Sequence, residues 1–518
     1  MLASLLLWCS GRVIADEPSF SPEQVQALLK RLQEAERRID ELQNQLEALK
    51  SAEAKSPAVR TSPGGTDVSG VVVPRPRLLP AAEEASTDDV LKRLATLEKR
   101  WEELNARDSD LASALKNTVA PGTTNNTMKV SGRIHADYWA FPGHDAGTDV
   151  LEGMDPQDRF VFRRLRFGVK GDIRDNMEYK IEMEFADPND TEFRDAYLGF
   201  KNLGIFQTVL IGNQKRPYGL DHLNSSRFNV FMERPFIIEA FNEDSRRLGI
   251  ASYGVSDDLR WNWRYGVYNL EKTQNDAGYL GDNYQLQFAA RLANTIWYDE
   301  TSGGRGYAHW AVSGTVAQPD GNATGASTHS NESRFRTRPE ARTSARWLNT
   351  GRIAGADLYG LLGLESVVNV GPVQFVGELQ NVWMNRNAAP SLHFWGGYVY
   401  VSYFLTGEHM PWDRKRGTLG RPKPFENFFL VDCCDGGTGA GWGAWQVAVR
   451  YSYADLNSED ILGGIGEAIT VGLNWYWNPN ARMQFNYIHG SIDSRTAGLM
   501  NLTGGDYDII GTRFMVDF

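Results

Sequence analysis

Residues 469–477 read ITVGLNWYW, and apolar side chains occupy every second position of this stretch. Successive side chains of an extended strand point to opposite faces, so one face of this segment is wholly apolar. The same period of two recurs from Met128 onward, in segments of about ten residues whose other face carries charges and amides. Soluble sandwiches usually have shorter strands. The pattern is therefore typical of an all-β transmembrane barrel with a wet lumen.

The composition agrees with a barrel. The chain has 518 residues, of which 15 are Trp, 20 Tyr and 24 Phe, and its mean hydropathy is −0.42. No run of about 18 apolar residues follows the N-terminus, which argues against transmembrane helices. A formal net charge of −11 in an exported chain makes nucleic acid an improbable partner.

The connections between strands alternate in length across 127–518, where we expect about sixteen antiparallel strands around an aqueous channel. This predicts tight turns at one end of the barrel and long loops at the other. The tight segments are 171–176, 203–206, 256–258 and 478–481, and the long ones are 141–158, 213–247 and 318–356. The closing TRFMVDF (512–518) forms a final strand ending in Phe518, similar to the signal read by the outer-membrane assembly machinery.

The chain before the barrel divides into four segments. Residues 1–15 are predicted to be a signal peptide, with an apolar run followed by an acceptable cleavage site at Ala15. Residues 16–50 carry apolar positions spaced alternately three and four apart, which predicts a coiled coil. A proline-rich linker (51–88) and a second coiled-coil helix (89–118) follow. We expect an outer-membrane location with this N-terminal part in the periplasm.

One segment concentrates positive charge. SRFRTRPEAR (333–342) alternates Arg334, Arg336 and Arg338 with uncharged residues, and Arg342 follows. In an extended chain the alternating arginines would share a face about 6–7 Å apart. Such a row could pass an anion from one guanidinium to the next. A solvated loop edge and a site for lipopolysaccharide phosphates are the alternatives.

Several stretches in order along the barrel resemble the phosphate-selective porins of the outer membrane, porins O and P. They include FVFRRLRFGVKGDI (160–173), RDAYLGF (194–200), NQKRPYGLDHLNSSRFNVFMERP (213–235) and YFLTGE (403–408). The resemblance implies a trimer of sixteen-stranded barrels that passes small anions. In that family a ladder of arginines on an inward-folded loop leads phosphate to a constriction, where a lysine helps to bind it.

The resemblance also assigns residues. The ladder corresponds to Arg334, Arg336, Arg338 and Arg342, the first-strand lumen arginine to Arg133, and an arginine pair near the constriction to Arg163 and Arg164. Arg163 falls on the outward face of the alternation, so it must lie at a strand end or a bulge to serve the pore. His222 stands where the family has its constriction lysine, and Arg194 where it has an acid. A histidine is a weaker anion site whose charge depends on pH, so the filter is expected to be less selective or to suit another anion.

The expected partners are inorganic phosphate or other small anions, outer-membrane lipids, two further copies of the chain, and a peptidoglycan or periplasmic partner of the coiled coil. We expect no enzyme activity, no cofactor and no metal site, since the histidines show no ligand spacing. Cys433 and Cys434 are taken as an incidental loop pair. Two other functions stay open: a general or cation-preferring porin, suggested by the net charge, and a structural tether between outer membrane and cell wall.

Overall fold

The computed structural model describes residues 126–187, 191–243, 246–272, 284–323, 330–429, 431–432, 438–497 and 501–518. The predicted signal peptide, both coiled-coil segments and the linker lie outside these residues, as do Cys433 and Cys434.

Sixteen strands form one closed antiparallel barrel, in which each strand pairs with its neighbours in sequence and the last pairs with the first. The predicted barrel of about sixteen strands is confirmed. The strands are β1 (Lys129–His144), β2 (Arg159–Ile173), β3 (Met177–Glu184), β4 (Glu192–Phe200), β5 (Thr208–Lys215), β6 (Arg246–Val255), β7 (Trp261–Asn269), β8 (Leu286–Tyr298), β9 (Gly306–Ala317), β10 (Ala356–Val370), β11 (Val373–Arg386), β12 (Leu392–Phe404), β13 (Ala444–Ser458), β14 (Ile461–Asn478), β15 (Ala481–Ala497) and β16 (Asn501–Asp517).

The apolar face of each strand points outward. Along β14, Ile469 and Val471 are about half exposed, whereas Thr470 between them is fully buried. Arg450 of β13 and Arg513 of β16 are 2% and 1% exposed. Burying arginines while exposing a continuous apolar surface would be costly in water. It is the arrangement expected of a wall with lipid outside and a polar lumen inside.

We call the end of the barrel where β1 starts and β16 finishes the turn end, and the opposite end the loop end. Phe518 closes the turn end, because its carbonyl accepts a hydrogen bond from the Gly132 amide at 2.9 Å. Aromatic rings collect near this end, where Trp445 stacks on Trp475 at 4.9 Å and Phe428 meets Trp475 at 4.5 Å. Aromatic girdles of this kind mark the membrane–water boundary of barrels.

In the described parts of the connections lie three short α-helices, α1 (Ala146–Glu152), α2 (Leu220–Leu223) and α3 (Phe236–Phe241), and one 3-10 turn (Gly204–Phe206). In the part of the chain that the structure describes, none of the helices has the length and apolarity needed to cross a bilayer. Helices α2 and α3 belong to the connection after β5, and α3 buries Phe236, Ile237 and Ile238. This connection therefore packs inside the barrel, where apolar side chains find cover against each other and the wall.

One long connection contradicts the predicted asymmetry of the two ends. Residues 405–443 join β12 to β13 at the turn end, where only tight turns were expected. A small hairpin in this segment pairs Trp412 with Leu419 and meets the lumen wall, since Asn262 donates to the Lys415 carbonyl at 2.6 Å. The Leu419 amide reaches the Asn224 side chain at 3.0 Å. The hairpin at 412–419 thus enters the barrel from the turn end and touches the connection that carries α2.

Candidate functional site

The arginine segment lies in the connection between β9 and β10. A two-residue strand at Arg336–Thr337 pairs with Leu348–Asn349, so the chain is extended there. Arg334, Arg336 and Arg338 are half-buried, whereas the intervening residues are buried. The alternation expected from the sequence is therefore present, and the three arginines share one face.

Phe335 anchors the opposite face of this segment. It is 4% exposed and lies edge-on to three rings at 5.5–5.7 Å: Phe241 of α3, Tyr359 of β10 and Phe394 of β12. Edge-to-face packing of this kind adds about 0.5–1.5 kcal/mol per pair beyond the area buried. The segment is thus held against two wall strands and the other inward connection.

Glu340, the acid within the arginine segment, does not face the arginines around it. Its carboxylate is buried and accepts hydrogen bonds from Thr470 Oγ1 at 3.1 Å and the Phe236 amide at 3.2 Å, and also from Arg450 and Ser452 of β13. A backbone φ of 56° at Glu340 turns the chain so that the side chain can reach the wall. Glu340 therefore anchors the segment to the wall, and its carboxylate does not neutralise Arg336 or Arg338.

Two carboxylates of the α3 connection pair with the arginine row. Arg336 Nε donates to Glu243 Oε1 at 2.7 Å, and Arg338 Nη1 to Glu239 Oε1 at 3.1 Å. Arg346 approaches both acids, at 3.4 and 3.8 Å, and Arg334 approaches Glu243 at 3.8 Å. Burial opposes ionisation of Glu243, but its hydrogen bond and charge interaction with Arg336 prevail and lower its pKa to about 2. Five arginines, counting Arg342, therefore face two carboxylates.

Arg342 has no ion pair with any carboxylate in the described ranges. The positive charge of Arg163 and then burial lower its pKa to about 10. That value still leaves the guanidinium protonated at pH 7. It is half-buried and lines a cavity inside the barrel, so its positive charge faces that cavity without a carboxylate partner among the described residues.

The cavity that Arg342 lines lies inside the barrel and has a volume of about 1020 Å³. Its lining includes nineteen lysines and arginines but only six aspartates and glutamates. The lining of this cavity is thus rich in positive charge, in a chain of net charge −11. Of the residues singled out from the sequence, Arg334 is not part of the lining, whereas Arg133, Arg163, Arg164, His222, Arg336, Arg338 and Arg342 are.

Arg163 reaches the lumen through a bulge. In the β1–β2 register His135 faces Arg164 and Ala136 faces Phe162, which leaves Arg163 as the extra residue. Its guanidinium donates two hydrogen bonds to Glu233, at 2.7 and 2.9 Å. Glu233 belongs to the connection that carries α2 and α3, so this pair ties the connection to the wall. The strand alternation alone would place Arg163 on the outward face, and the sequence analysis therefore expected a strand end or a bulge at this residue. The structure has a bulge there.

The first-strand arginine is also engaged. Arg133 donates to Glu182 of β3 at 2.8 Å and to Ser226 of the α2 connection at 2.9 Å. Arg194 lies near two acids, Glu192 and Glu184. The β3 carboxylates therefore act as partners of lumen arginines, as expected from their position on the polar face of the strand.

His222 is buried at 2% exposure in α2. Burial, followed by the charge of Lys215, holds its pKa well below the ordinary value of 6.5. The imidazole is therefore neutral at pH 7, and its charge does not change near that pH. Sequence reasoning missed Lys215, whose ammonium donates to the carbonyls of His222, Leu223 and Asn224 at 2.7–3.0 Å. Lys215 begins the KRPYGLDH stretch that also contains His222, and this nearness in sequence could have identified it as a neighbour of the histidine.

The profile of the family described as phosphate-selective porin O and P matches residues 128–518. The chain belongs to this family. It is therefore a porin, a β-barrel channel of the outer membrane.

This porin is 26% identical over 405 residues to an uncharacterized protein of Caulobacter vibrioides, with 76% of this chain and 74% of that protein covered. Among solved structures it is similar to the anion-selective porin from Comamonas acidovorans (13% identity, TM-score 0.45, 76% of this chain and 100% of the other covered). It is also similar to the trimer form of OmpT from Vibrio cholerae (12%, 0.45, 75% and 99%).

Proposed function

We propose that this porin conducts small anions, with inorganic phosphate or a related oxyanion preferred, along the arginines of residues 334–346. The observation that carries the proposal is charge imbalance at one face: five arginines against Glu239 and Glu243. The whole cavity lining repeats the imbalance. Rows of arginine and lysine are a recurring source of anion selectivity in pores.

Guanidinium groups suit a tetrahedral oxyanion because each presents a planar fork of donors and stays charged. The ion pairs with Glu239 and Glu243 use only part of the donors of Arg336 and Arg338, so donors are left for an anion. The ion pairs with Glu239 and Glu243 also lower the affinity of each arginine for an anion. Several modest sites in sequence allow an anion to bind and then leave, which conduction requires.

The distances between the two inward connections support a fixed row. Phe335 and Glu340 fasten the arginine segment to the wall on its outer side, while Glu239 and Glu243 fasten it to α3 and its end. A row held in this way loses little conformational freedom when an anion binds. Alternate residues of an extended chain lie about 6–7 Å apart, which is less than the Debye length of about 8 Å at physiological salt, so the potentials of Arg334, Arg336 and Arg338 overlap.

The assembly and orientation follow from the same proposal. The porin is proposed to be a homotrimer whose turn end faces the periplasm, with 16–50 and 89–118 forming periplasmic coiled coils. Heptad spacing over both segments supports this. A peptidoglycan partner is tested by pull-down of cell-wall material with the full chain and with a chain lacking residues 16–118. Equal recovery would dismiss a tether role.

Bilayer recording of the purified porin tests the proposed conduction. In a potassium chloride gradient the reversal potential is expected to show anion preference, and added phosphate is expected to reduce the chloride current. A cation-selective reversal potential would refute the proposal and favour the cation-preferring alternative. Anion preference without an effect of phosphate would keep the arginine pathway but dismiss phosphate as the preferred ion.

A further inference from the structure

Three side chains with metal-binding chemistry converge at the loop end, outside the arginine-lined lumen. His144 ends β1, Asp149 lies in α1, and Asp155 follows that helix. One potential ligand atom from each lies within 4.8 Å of the others. The spacing of four and five residues between them gives no recognisable sequence signature, so sequence reasoning expected no metal site.

The contacts within this triad are those of ligands around a common centre. His144 Nε2 lies 3.1 Å from Asp149 Oδ1 and 3.0 Å from Asp155 Oδ1. Asp149 Oδ1 is inaccessible to solvent, and its 3.1 Å contact with His144 Nε2 is not a hydrogen bond, so this oxygen has no hydrogen-bond partner among the described residues. With metal–ligand bonds of about 2.1 Å, two ligands lie about 3.0 Å apart at a right angle and about 3.4 Å apart in the tetrahedral geometry that Zn²⁺ usually takes. The two separations from His144 Nε2 are close to these values, and the two carboxylate oxygens lie within 4.8 Å of each other.

Local structure builds this arrangement. The Asp145 amide donates to the Asp506 carbonyl at 3.0 Å, and the Asp506 amide donates back to the Asp145 side chain at 3.0 Å. These bonds fix the start of α1 on β16. Gly153, with φ of 86°, ends the helix in the left-handed region and donates to the Asp149 carbonyl at 2.8 Å. The turn brings Asp155 back towards His144.

We propose that His144, Asp149 and Asp155 bind a divalent cation of intermediate softness, such as Zn²⁺. One imidazole and two carboxylates suit Zn²⁺ and its first-row neighbours, whereas Ca²⁺ and Mg²⁺ prefer oxygen ligands alone. Three protein ligands leave at least one coordination position for water. The cation also removes the repulsion between two carboxylates that share one histidine.

The site is connected to the arginine segment through α1. Glu152, one turn after Asp149, accepts hydrogen bonds from the Ser344 amide at 2.7 Å, the Ala345 amide at 3.1 Å and Trp347 Nε1 at 2.9 Å. Fixing α1 with a cation therefore also fixes residues 344–347, which include Arg346 and begin two residues after Arg342. Cation binding itself does not depend on which ion the lumen conducts, so failure of the proposed function would leave this inference intact.

The test is zinc binding to the full chain, folded in detergent and stripped of metal with a chelator. Isothermal titration is expected to show a site in wild type whose affinity falls at least tenfold in Asp149→Asn and in His144→Gln. His489→Gln is the matched control, because His489 Nδ1 lies 3.0 Å from Asp508 Oδ1 in ordinary hydrogen-bond geometry on the outer wall. This control is expected to bind zinc as wild type does.

Two further measurements keep the outcome unambiguous. Migration in gels with and without heating verifies that each variant retains its barrel. The thermal unfolding midpoint is expected to rise with zinc in wild type and His489→Gln, and to rise less in the two triad variants. Magnesium at the same concentration is expected to have no such effect. Equal zinc affinity in wild type and folded triad variants, or equal stabilisation by magnesium, would overturn the proposal.

Discussion

Arg342 offers the cleanest test of the proposed anion pathway. It lines the cavity and pairs with no described carboxylate, so Arg342→Gln removes one positive charge without releasing an acid. The same substitution at Arg336 would also leave Glu243 less compensated, since Arg336 is its nearest partner. A change at Arg342 therefore reports the contribution of a single guanidinium to the potential felt by an anion.

The expected magnitude follows from Coulomb's law. Two unit charges 4 Å apart interact by about 1 kcal/mol at the dielectric constant of water and by about 4 kcal/mol at an effective value of 20. Because the lumen contains water and several cations whose potentials overlap, the interaction energy there should be closer to about 1 kcal/mol than to about 4 kcal/mol. Arg342→Gln should therefore weaken phosphate binding by about 1–2 kcal/mol, which is roughly 5–30-fold. Raising the ionic strength should reduce the difference between the variant and wild type.

The assay is block of chloride current by phosphate in planar bilayers, with the half-blocking concentration as readout. Arg352→Gln is the matched control, because Arg352 lies on the same connection, is not part of the cavity lining and pairs with Glu332 at 3.7 Å. The half-blocking concentration of phosphate should be the same in Arg352→Gln as in wild type. An unchanged half-blocking concentration in Arg342→Gln would place Arg342 outside the conduction path and remove the main support for the ladder.

Three further outcomes are expected. Glu340→Gln should destabilise the porin by about 3–5 kcal/mol, because it breaks a buried ion pair with Arg450; a wild-type denaturation midpoint in detergent would contradict this. The pKa of His222 is lowered in the folded state, so below pH 6.5 only the unfolded chain gains this proton, and the free energy of unfolding should fall by up to about 1.4 kcal/mol per pH unit. His222→Gln should lack this slope between pH 6.5 and 5, and an identical slope in both proteins would argue against a buried neutral imidazole. Replacing residues 409–422 with a short Gly-Ser turn should increase single-channel conductance, since the hairpin enters the lumen from the turn end; unchanged conductance would mean that it does not narrow the path.

Much of the wall could be predicted from the sequence because strand geometry is local. An apolar residue at every second position is enough to define an outward face, and β14 has the alternation seen in ITVGLNWYW. The same alternation placed Arg163 on the lipid-facing side, so Arg163 could face the lumen only at a break in the strand. The β1–β2 register contains a bulge at this residue. The row of arginines at 334, 336 and 338 is likewise a consequence of local extension.

Tertiary structure alone decided how the charges are used. Glu239 and Glu243 lie about a hundred residues before the arginines they pair with, and Glu340 turns away from its own neighbours towards Arg450. Sequence spacing carries no information on such pairs, because they form only when two connections fold into one lumen. The burial of His222 and the entrance of the 412–419 hairpin from the turn end also depend on distant segments folding together. Alternation along a strand is fixed by backbone geometry, whereas the partner of a charge depends on which distant segment fills the space beside it.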